Sequence, residues 1–221
     1  MPEARRRQMN SALKLTALFL FLYGLVTQQV LANAWIRRLD EWIYERDFLL
    51  ITPGKTPTLV MLVDDLGLRS ITAIFLFGTA IIISRRFKSW RPINLSILSL
   101  LLLNIVVGVS KLFFGRTKPS TGFDLVFTDS GLSYPSGHAA NAILTWGMVA
   151  YLIFRYSHKE PFEGMRLTWF VAIVTVGVCL ASLYRNTHWF SDLLGGLFIG
   201  SALLVLIIAI DRSIRSDRQP S

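Results

Sequence analysis

The chain has 221 residues, of which 52% are hydrophobic and 17% are charged, and its formal net charge is +9 at pH 7. An ordinary soluble domain has about 25% charged residues, and a disordered basic protein lacks so much apolar and aromatic sequence, so neither class is expected. A nucleic-acid-binding protein is not expected either, because the lysines and arginines stand at the ends of long apolar stretches and not along one soluble face.

Six apolar stretches each approach the roughly 17 to 25 residues that a helix needs to cross a bilayer. In chain order they are residues 13–31, 66–84, 93–109, 139–154, 167–183 and 193–210. The first follows three arginines, as in a signal peptide, but it shows no clear cleavage site, so we expect it to be retained. The sequence therefore predicts an all-α fold, an integral membrane bundle of six transmembrane helices. A soluble protein with six buried helices is the alternative.

The basic residues are unevenly divided between the two ends of these spans. The N-terminus, residues 85–91, residues 155–166 and the segment from residue 211 carry thirteen cations and five anions, whereas the other end carries nine of each when Arg69 at the start of the second span is included. Because basic segments stay in the cytoplasm, we expect both termini to be cytoplasmic and the connections 33–67, 110–135 and 184–192 to face outward.

The remaining segments complete the predicted organisation. No repeat or linker is evident, so residues 1–221 are expected to form a single membrane-embedded domain. Residues 35–55 are predicted to form an amphipathic helix at the interface, anchored by Trp35 and Trp42, with an exposed loop as the alternative. Residues 213–221 are predicted to be a solvated cytoplasmic tail.

Three polar clusters lie at the outward ends of the spans, where polar residues are often functional. The first follows the third span and contains Lys111, Arg116 and Lys118, with Pro119 ending regular helix. Three cations within eight residues are suited to an anionic head group. When this cluster is considered alone, an equally good explanation is that its lysines and arginine snorkel to the membrane surface and bind no ligand.

The second cluster, Tyr-Pro-Ser-Gly-His at residues 134–138, immediately precedes the fourth span. Ser136 is predicted to cap a helix, so that Gly137 and His138 occupy its first turn. The free N–H groups of a helix start bind anions, Gly137 lets a phosphate approach closely, and His138 could give a proton to a leaving oxygen. An ordinary helix cap with an interfacial histidine is the alternative.

The third cluster links the fifth and sixth spans and contains Arg185, His188 and Asp192. On a helix, His188 and Asp192 would share one face, and the carboxylate could accept a hydrogen bond from the imidazole. This contact would leave the other ring nitrogen free to attack, while Arg185 is close enough in sequence to hold a phosphate. For an isolated His-x-x-x-Asp pair, a structural role is the better interpretation.

Metal binding is the main chemical alternative, because two histidines and one carboxylate can form a metal site. Cations near the clusters would repel a metal and attract a phosphate; they are Lys111, Arg116, Lys118 and Arg185. We therefore expect neither a metal ion nor another cofactor. The sequence also contains no Walker A, Gly-x-Ser-x-Gly or His-Glu-x-x-His motif, which argues against nucleotide hydrolases, serine esterases and zinc proteases.

Taken in order, the clusters resemble the three-part signature of the type-2 phosphatidic acid phosphatase superfamily, which includes bacterial membrane lipid phosphatases and vanadium haloperoxidases. The family pattern is Lys, six residues and Arg-Pro, then Pro-Ser-Gly-His, then Ser-Arg, five residues, His, three residues and Asp. Residues 135–138 match in full, and His188 and Asp192 keep the family spacing. The resemblance spans residues 111–192 and implies a six-helix membrane phosphatase domain.

The resemblance also implies roles for the matching positions. His188 would attack the phosphorus and become a phosphohistidine, His138 would protonate the leaving lipid oxygen, and Asp192 would orient His188. The expected catalytic residues are thus His188, His138 and Asp192. The expected phosphate-binding residues are Lys111, Lys118, Ser136, Gly137, Arg185 and Arg116.

Two positions depart from the family pattern. Lys118 stands where the family has an arginine, which keeps the charge but loses the paired hydrogen bonds of a guanidinium. Ser182 stands where the family has a second arginine, six residues before the nucleophile. On a helix Arg185 would point within about 60° of His188, and we expect Arg185 to replace the missing arginine.

These observations predict a lipid phosphatase whose site faces outward at the surface of the bacterial cell (inner) membrane. A polyprenyl diphosphate of the undecaprenyl type is the expected substrate, followed by phosphatidic acid and phosphatidylglycerophosphate. The alternatives are a phosphotransferase that uses the same phosphohistidine and a membrane protein that only binds an anion. The expected partners are the lipid substrate and membrane lipids, and the oligomeric state is left open.

Overall fold

The computed structural model describes residues 3–46, 56–119, 132–156 and 161–214. Its helices are α1 (Glu3–Leu31), α2 (Trp35–Glu45), α3 (Thr58–Asp65), α4 (Arg69–Phe87), α5 (Arg91–Phe114), α6 (Gly137–Asn141), a π-helical turn (Ala142–Trp146), α7 (Gly147–Tyr156), α8 (Pro161–Tyr184) and α9 (Phe190–Ser213). The described residues form no β-strand, and the all-α prediction is confirmed.

Six helical stretches are long and apolar enough to cross a membrane. They are Arg5–Leu31, Arg69–Phe87, Arg91–Phe114, Gly137–Tyr156, Glu163–Tyr184 and Phe190–Ser213. They confirm the predicted bundle of six transmembrane helices. The second span begins at Arg69 and not at residue 66, because the separate helix α3 ends at Asp65 and the chain turns before α4 begins.

The segments outside the spans agree in part with the sequence. Helix α2 confirms the predicted helix over Trp35–Glu45, and Trp35 and Trp42 are 57% and 43% exposed, as interfacial anchors would be. Residues 47–55 of that prediction lie outside the described residues, as do 120–131 of the next outer connection and 157–160 of a basic segment. The tail over residues 213–221 stays a prediction, because Ser213 is the last residue of α9 and residues 215–221 are likewise not described.

The ends of α5 follow directly from its sequence. Pro92 lies in the first turn, where its missing N–H costs no helical hydrogen bond. Gly115 ends the helix in the left-handed conformation at φ 55°, and its N–H bonds to the carbonyl of Lys111 at 3.0 Å. This stop places Lys111 in the last helical turn and turns the chain towards α9 at Arg116.

Helix α9 packs against α1 and α6 and is the central element behind the site. Its glycines permit this contact: a Cβ at Gly196 would collide with the carbonyl oxygen of Ser136 and lie 3.0 Å from the Cβ of Ala139. A Cβ at Gly200 would lie 2.9 Å from the carbonyl oxygen of Ala140. The start of α6 therefore rests directly on the backbone of α9.

We expect Gly196→Ala to lower both thermal stability and turnover, although in a helix alanine is intrinsically more favourable than glycine by about 1 kcal/mol. The added methyl group overpacks a backbone contact, which typically costs about 1–3 kcal/mol, and pushes the start of α6 away. Thermal unfolding in detergent and a phosphate-release assay measure the two effects. The matched control is Gly108→Ala on spanning helix α5, where nothing lies within 4 Å of an added Cβ. Equal behaviour of the two variants would contradict the packing argument.

Candidate active site

The second and third clusters meet where α6 begins and α9 begins. The rings of His138 and His188 lie with their centroids 5.9 Å apart and their planes inclined at 60°. The backbone N–H of Ser136 bonds to the carbonyl of Asp192 at 2.9 Å, which joins the two clusters directly. The fold thus brings together two histidines that are fifty positions apart in the sequence.

Ser136 caps α6 as the sequence predicts. Its extended backbone precedes the helix, and its hydroxyl accepts a hydrogen bond from the N–H of Ala139 at 3.3 Å. Gly137 and His138 therefore occupy the first turn, which confirms their predicted placement. Their role in phosphate binding stays a prediction.

Tyr134 fixes the segment that leads into this helix. Its ring is fully buried, stacks on Tyr23 with the centroids 6.1 Å apart and meets Phe114 edge-on. Its hydroxyl lies 2.6 Å from the hydroxyl of Thr27, which itself donates to a backbone carbonyl of α1. Burial raises the pKa of the Tyr134 phenol above its ordinary value, so it stays neutral.

His188 and Asp192 are close, but not for the reason that the sequence suggested. The prediction of a shared helical face is wrong, because His188 precedes α9 and Asp192 lies in its first turn. The Nδ1 of His188 is 3.6 Å from the Oδ2 of Asp192, which is longer than a hydrogen bond. That same oxygen accepts the backbone N–H of Trp189 at 2.9 Å and so closes the start of the helix.

Arg116 lies between two buried carboxylates. Its Nη1 donates to Asp192 at 2.8 Å and to the hydroxyl of Ser191 at 2.6 Å, and its Nη2 donates to Asp40 at 2.7 Å. The side chain is 8% exposed. The expected role of Arg116 as a phosphate ligand stays a prediction, but its observed contacts orient Asp192.

Asp40 is a site-supporting residue that the sequence analysis missed. Its carboxylate accepts the N–H of Ser191 at 2.8 Å and the hydroxyl of the same residue at 2.6 Å, in addition to Arg116. Burial raises the pKa of the Asp40 carboxyl, while the Arg116 charge and the Ser191 hydrogen bonds oppose the shift. Asp40 thereby ties the interfacial helix α2 to the start of α9.

Asp64 is the second residue that the sequence analysis missed. It is 1% exposed at the end of α3, accepts the hydroxyl of Ser182 at 2.6 Å and forms an ion pair with Arg185. The side chain of Arg185 is 30% exposed, and its Nη1 makes the ion pair. Ser182, which stands in place of the family arginine, and Arg185, its expected replacement, therefore both contact the carboxylate of Asp64.

The lysines of the first cluster lie at the same end of the bundle. The ammonium group of Lys111 donates to the carbonyl of Leu132 at 2.9 Å, close to the start of the second cluster. The charge of Lys111 is repelled by Lys118 and attracted by Asp192. His138 lies within electrostatic range of four charged or titratable groups, which are Asp64, Lys111, Arg185 and His188. Lys118 is half-buried. The charged groups of all three clusters thus act on a common region.

Across the described ranges, no group of three His, Cys, Asp or Glu side chains is arranged to hold a metal ion. The expectation of chemistry without a metal or other cofactor stays a prediction. What the arrangement offers is two facing imidazoles, a capped helix start and several cations. These groups suit the binding of a phosphate and the transfer of its phosphoryl group.

Comparisons with known proteins agree with the motifs and the fold. The family model described as the PAP2 superfamily matches residues 92–215, more than half of the chain. Phosphatidylglycerophosphatase B of Bacillus subtilis (strain 168) is 26% identical over 212 residues, which cover 90% of this chain and 97% of that protein.

A solved structure supports the fold over nearly the whole chain. It is described as the crystal structure of the first transmembrane PAP2 type phosphatidylglycerolphosphate phosphatase from Bacillus subtilis. It has a TM-score of 0.76 at 21% identity and covers 94% of this chain and 98% of that one. With the family model, the three motifs and the six spans in agreement, the chain belongs to the PAP2 superfamily.

Proposed function

We propose that this protein is a membrane lipid phosphatase that works through a phosphohistidine on His188. The observation that supports this most is the pair of facing imidazoles, 5.9 Å apart, at the capped start of α6. One imidazole can attack phosphorus while the other protonates the leaving group. Lys111 and Arg185 supply positive charge to the same region.

In the first step, the free ring nitrogen of His188, Nε2, donates its lone pair to phosphorus. The bond between phosphorus and the lipid oxygen breaks, and that oxygen takes a proton from His138. Asp192 faces Nδ1 and stabilises the positive charge that develops on the ring. The 3.6 Å separation needs to shorten by about 0.6 Å to become a hydrogen bond, and such contacts often tighten when substrate binds.

In the second step, water attacks the phosphohistidine. His138, now neutral, accepts a proton from this water, the bond between phosphorus and His188 breaks, and inorganic phosphate leaves. Each histidine returns to its starting protonation state. The free N–H groups at the start of α6 can bind the phosphate oxygens throughout.

Arg116 acts in this proposal as a positioning residue. Both of its terminal nitrogens donate to carboxylates, one of which is Asp192, so we assign Arg116 the role of holding that carboxylate in place. It binds Oδ1 of Asp192, whereas His188 lies beside Oδ2 of the same carboxylate. This fixes the carboxylate against the imidazole.

We place phosphatidylglycerophosphate first among the substrates, because a relative that aligns over 90% of this chain carries the name phosphatidylglycerophosphatase B. The polyprenyl diphosphate that the sequence analysis ranked first, and phosphatidic acid, stay predictions. All three carry a terminal phosphate on a membrane lipid. The outward orientation of the site follows from the distribution of basic residues and is part of the proposal.

The test is a phosphate-release assay with the purified full chain and these three lipids. We expect release of inorganic phosphate, fastest from phosphatidylglycerophosphate, unchanged by a metal chelator and blocked by vanadate. The His188→Asn variant is the control for contaminating phosphatases. Consumption of lipid without free phosphate would instead support a phosphotransferase, and inertness towards all three lipids would support a protein that only binds anions.

We expect Arg185→Ala to lower kcat/KM by about 10- to 100-fold, because a charge-assisted hydrogen bond to phosphate is lost. The inhibition constant for inorganic phosphate should rise by a similar factor. Asp64→Asn should have a smaller effect in the same direction, since it removes the partner that orients Arg185. Steady-state kinetics and phosphate inhibition measure both.

The matched control for Arg185→Ala is Arg38→Ala, which removes an exposed arginine from α2 at the same end of the bundle. This variant should retain normal kinetics. If Arg185→Ala leaves turnover and phosphate inhibition unchanged while a His188 variant is inactive, Arg185 does not replace the family arginine.

A further inference from the structure

The end of the bundle opposite the histidines contains a buried ion cluster. Asp211, near the end of α9, is 1% exposed and pairs with Arg91 of α5 and, at 2.8 Å, with Arg155 of α7. The hydroxyl of Tyr151 donates to the same carboxylate. Two guanidinium groups therefore share one carboxylate, and no negative charge of this cluster is left over for a third arginine.

Arg212 is the next residue and has a different environment. It is exposed, and its guanidinium carbon lies 5.6 Å from the centre of the Tyr151 ring. Arg5 on α1 is half-buried. Within the described parts of the chain, neither Arg5 nor Arg212 forms an ion pair. Two arginines without an ion-pair partner among the described residues thus stand at the same end of the bundle.

Both arginines line a groove between α1 and α9. This groove has a volume of about 370 Å³, and its wall also includes Met9, Ala12 and Leu15 of α1 and Ile208 of α9. Small and apolar side chains leave the space open along the helices. The groove is therefore apolar along its length and basic at its mouth.

A second groove lies on the other side of the α9 ridge. It has a volume of about 480 Å³ and is bounded by α7, α8 and α9, with Gly147, Gly164 and Leu204 in its wall. Ile208 and Arg212 line this groove as well as the first. Since Leu204, Ile208 and Arg212 follow one another at four-residue intervals, they form one ridge on the helix. The two grooves flank that ridge and share Arg212.

We propose that these grooves bind one anionic phospholipid of the membrane, with its phosphate on Arg5 and Arg212 and one acyl chain on each side of the ridge. Two apolar grooves that share a basic mouth match a lipid with two chains and one anionic head group. Guanidinium groups bind phosphate well, and basic residues at a membrane surface favour anionic lipids. A zwitterionic lipid would fill the grooves but bring an extra positive charge to the arginines.

This site is separate from the proposed catalytic site. Arg212 lies twenty-two residues after Phe190, where α9 begins beside His188. At the helical rise this is about 33 Å along the axis of α9. A lipid bound at Arg212 therefore cannot place its phosphate between the two histidines.

The test compares phosphatidylglycerol with phosphatidylcholine of the same acyl chains, as lipids retained by the purified full chain in native mass spectrometry. Phosphatidylglycerol has no terminal phosphate, so it is not a substrate of the proposed reaction, and lipid binding is measured independently of catalysis. We expect preferential retention of phosphatidylglycerol. Arg5→Gln and Arg212→Gln should each reduce this preference by about fivefold.

The matched control is Arg6→Gln, which removes the same charge from the adjacent, exposed position of α1 and should leave the preference unchanged. Ala12→Phe fills the first groove without changing the charge and should reduce retention of both lipids. Thermal unfolding identifies any variant that has lost its fold, in which case the remaining variants decide. Equal retention of the two lipids by the unmodified protein, or an equal loss in Arg6→Gln, would overturn the proposal.

Discussion

Replacing His188 by asparagine is expected to lower phosphate release by about 10⁴- to 10⁶-fold, because it removes the proposed nucleophile and leaves only binding and electrostatic stabilisation. The fold should survive the change. The residue is 5% exposed, but its Nδ1 has no hydrogen-bond partner among the described residues, so replacing the ring leaves no partner of this nitrogen unsatisfied. The variant should therefore bind phosphate analogues although it does not turn over.

Phosphate release under single-turnover conditions measures this effect, and thermal unfolding in detergent provides the control for folding. Asp192→Asn is the informative companion, because it keeps the proposed nucleophile and removes the charge that faces Nδ1, together with the ion pair to Arg116. We expect it to retain more activity than His188→Asn. Turnover within about tenfold of the unmodified protein in His188→Asn would exclude His188 as the nucleophile.

Replacing His138 by glutamine is expected to lower turnover of lipid substrates by about 10²- to 10⁴-fold, the usual contribution of general acid catalysis. The size of the loss should depend on the leaving group. A lipid alkoxide is a poor leaving group and needs the proton, whereas nitrophenolate leaves without one. The variant should therefore lose much less activity towards 4-nitrophenyl phosphate in the step that breaks the phosphorus–oxygen bond.

Burst kinetics separate that step from hydrolysis of the intermediate, in which the proposed mechanism also gives His138 a role. With 4-nitrophenyl phosphate, His138→Gln should give a rapid burst of nitrophenol followed by slow turnover. A uniform loss with both leaving groups and no burst would assign His138 to binding and not to proton transfer.

The six spans and the cap of α6 could be predicted because local sequence determines them. Apolar length sets a membrane span, and Ser136 followed by Gly137 specifies a helix start with few alternatives. The meeting of His138 and His188 could be expected only through the family resemblance. The distance of 5.9 Å between their ring centroids depends on the packing of α6 against Gly196, and no local sequence pattern encodes that packing.

Asp40 and Asp64 are the two buried acids that were not expected from the sequence. Ile36 and Asp40 lie four positions apart on α2 and are 3% and 2% exposed. An acid on the apolar face of an amphipathic helix was an available signal for a buried ion pair. Asp64 ends the apolar run of α3 just before a membrane span, which is a similar signal. Neither pattern identifies its partner, because Arg116 and Arg185 come from distant parts of the chain.

The predicted environment of His188 is wrong for a physical reason. A spacing of four residues predicts one helical face, but a carboxylate oxygen of Asp192 accepts the N–H of Trp189 and caps the start of α9. A carboxylate at the third helical position favours such a start, so the helix begins after His188. The two side chains still face each other, through the geometry of the helix start.

The most direct test of the proposed mechanism is to trap the phosphoenzyme. The purified protein is mixed with phosphatidylglycerophosphate labelled with ³²P in its terminal phosphate, quenched in alkali within milliseconds and digested. We expect an acid-labile, alkali-stable label on the peptide that contains His188, and its absence from His188→Asn. Label on another residue, or release of labelled phosphate in the first turnover with no labelled protein, would contradict it.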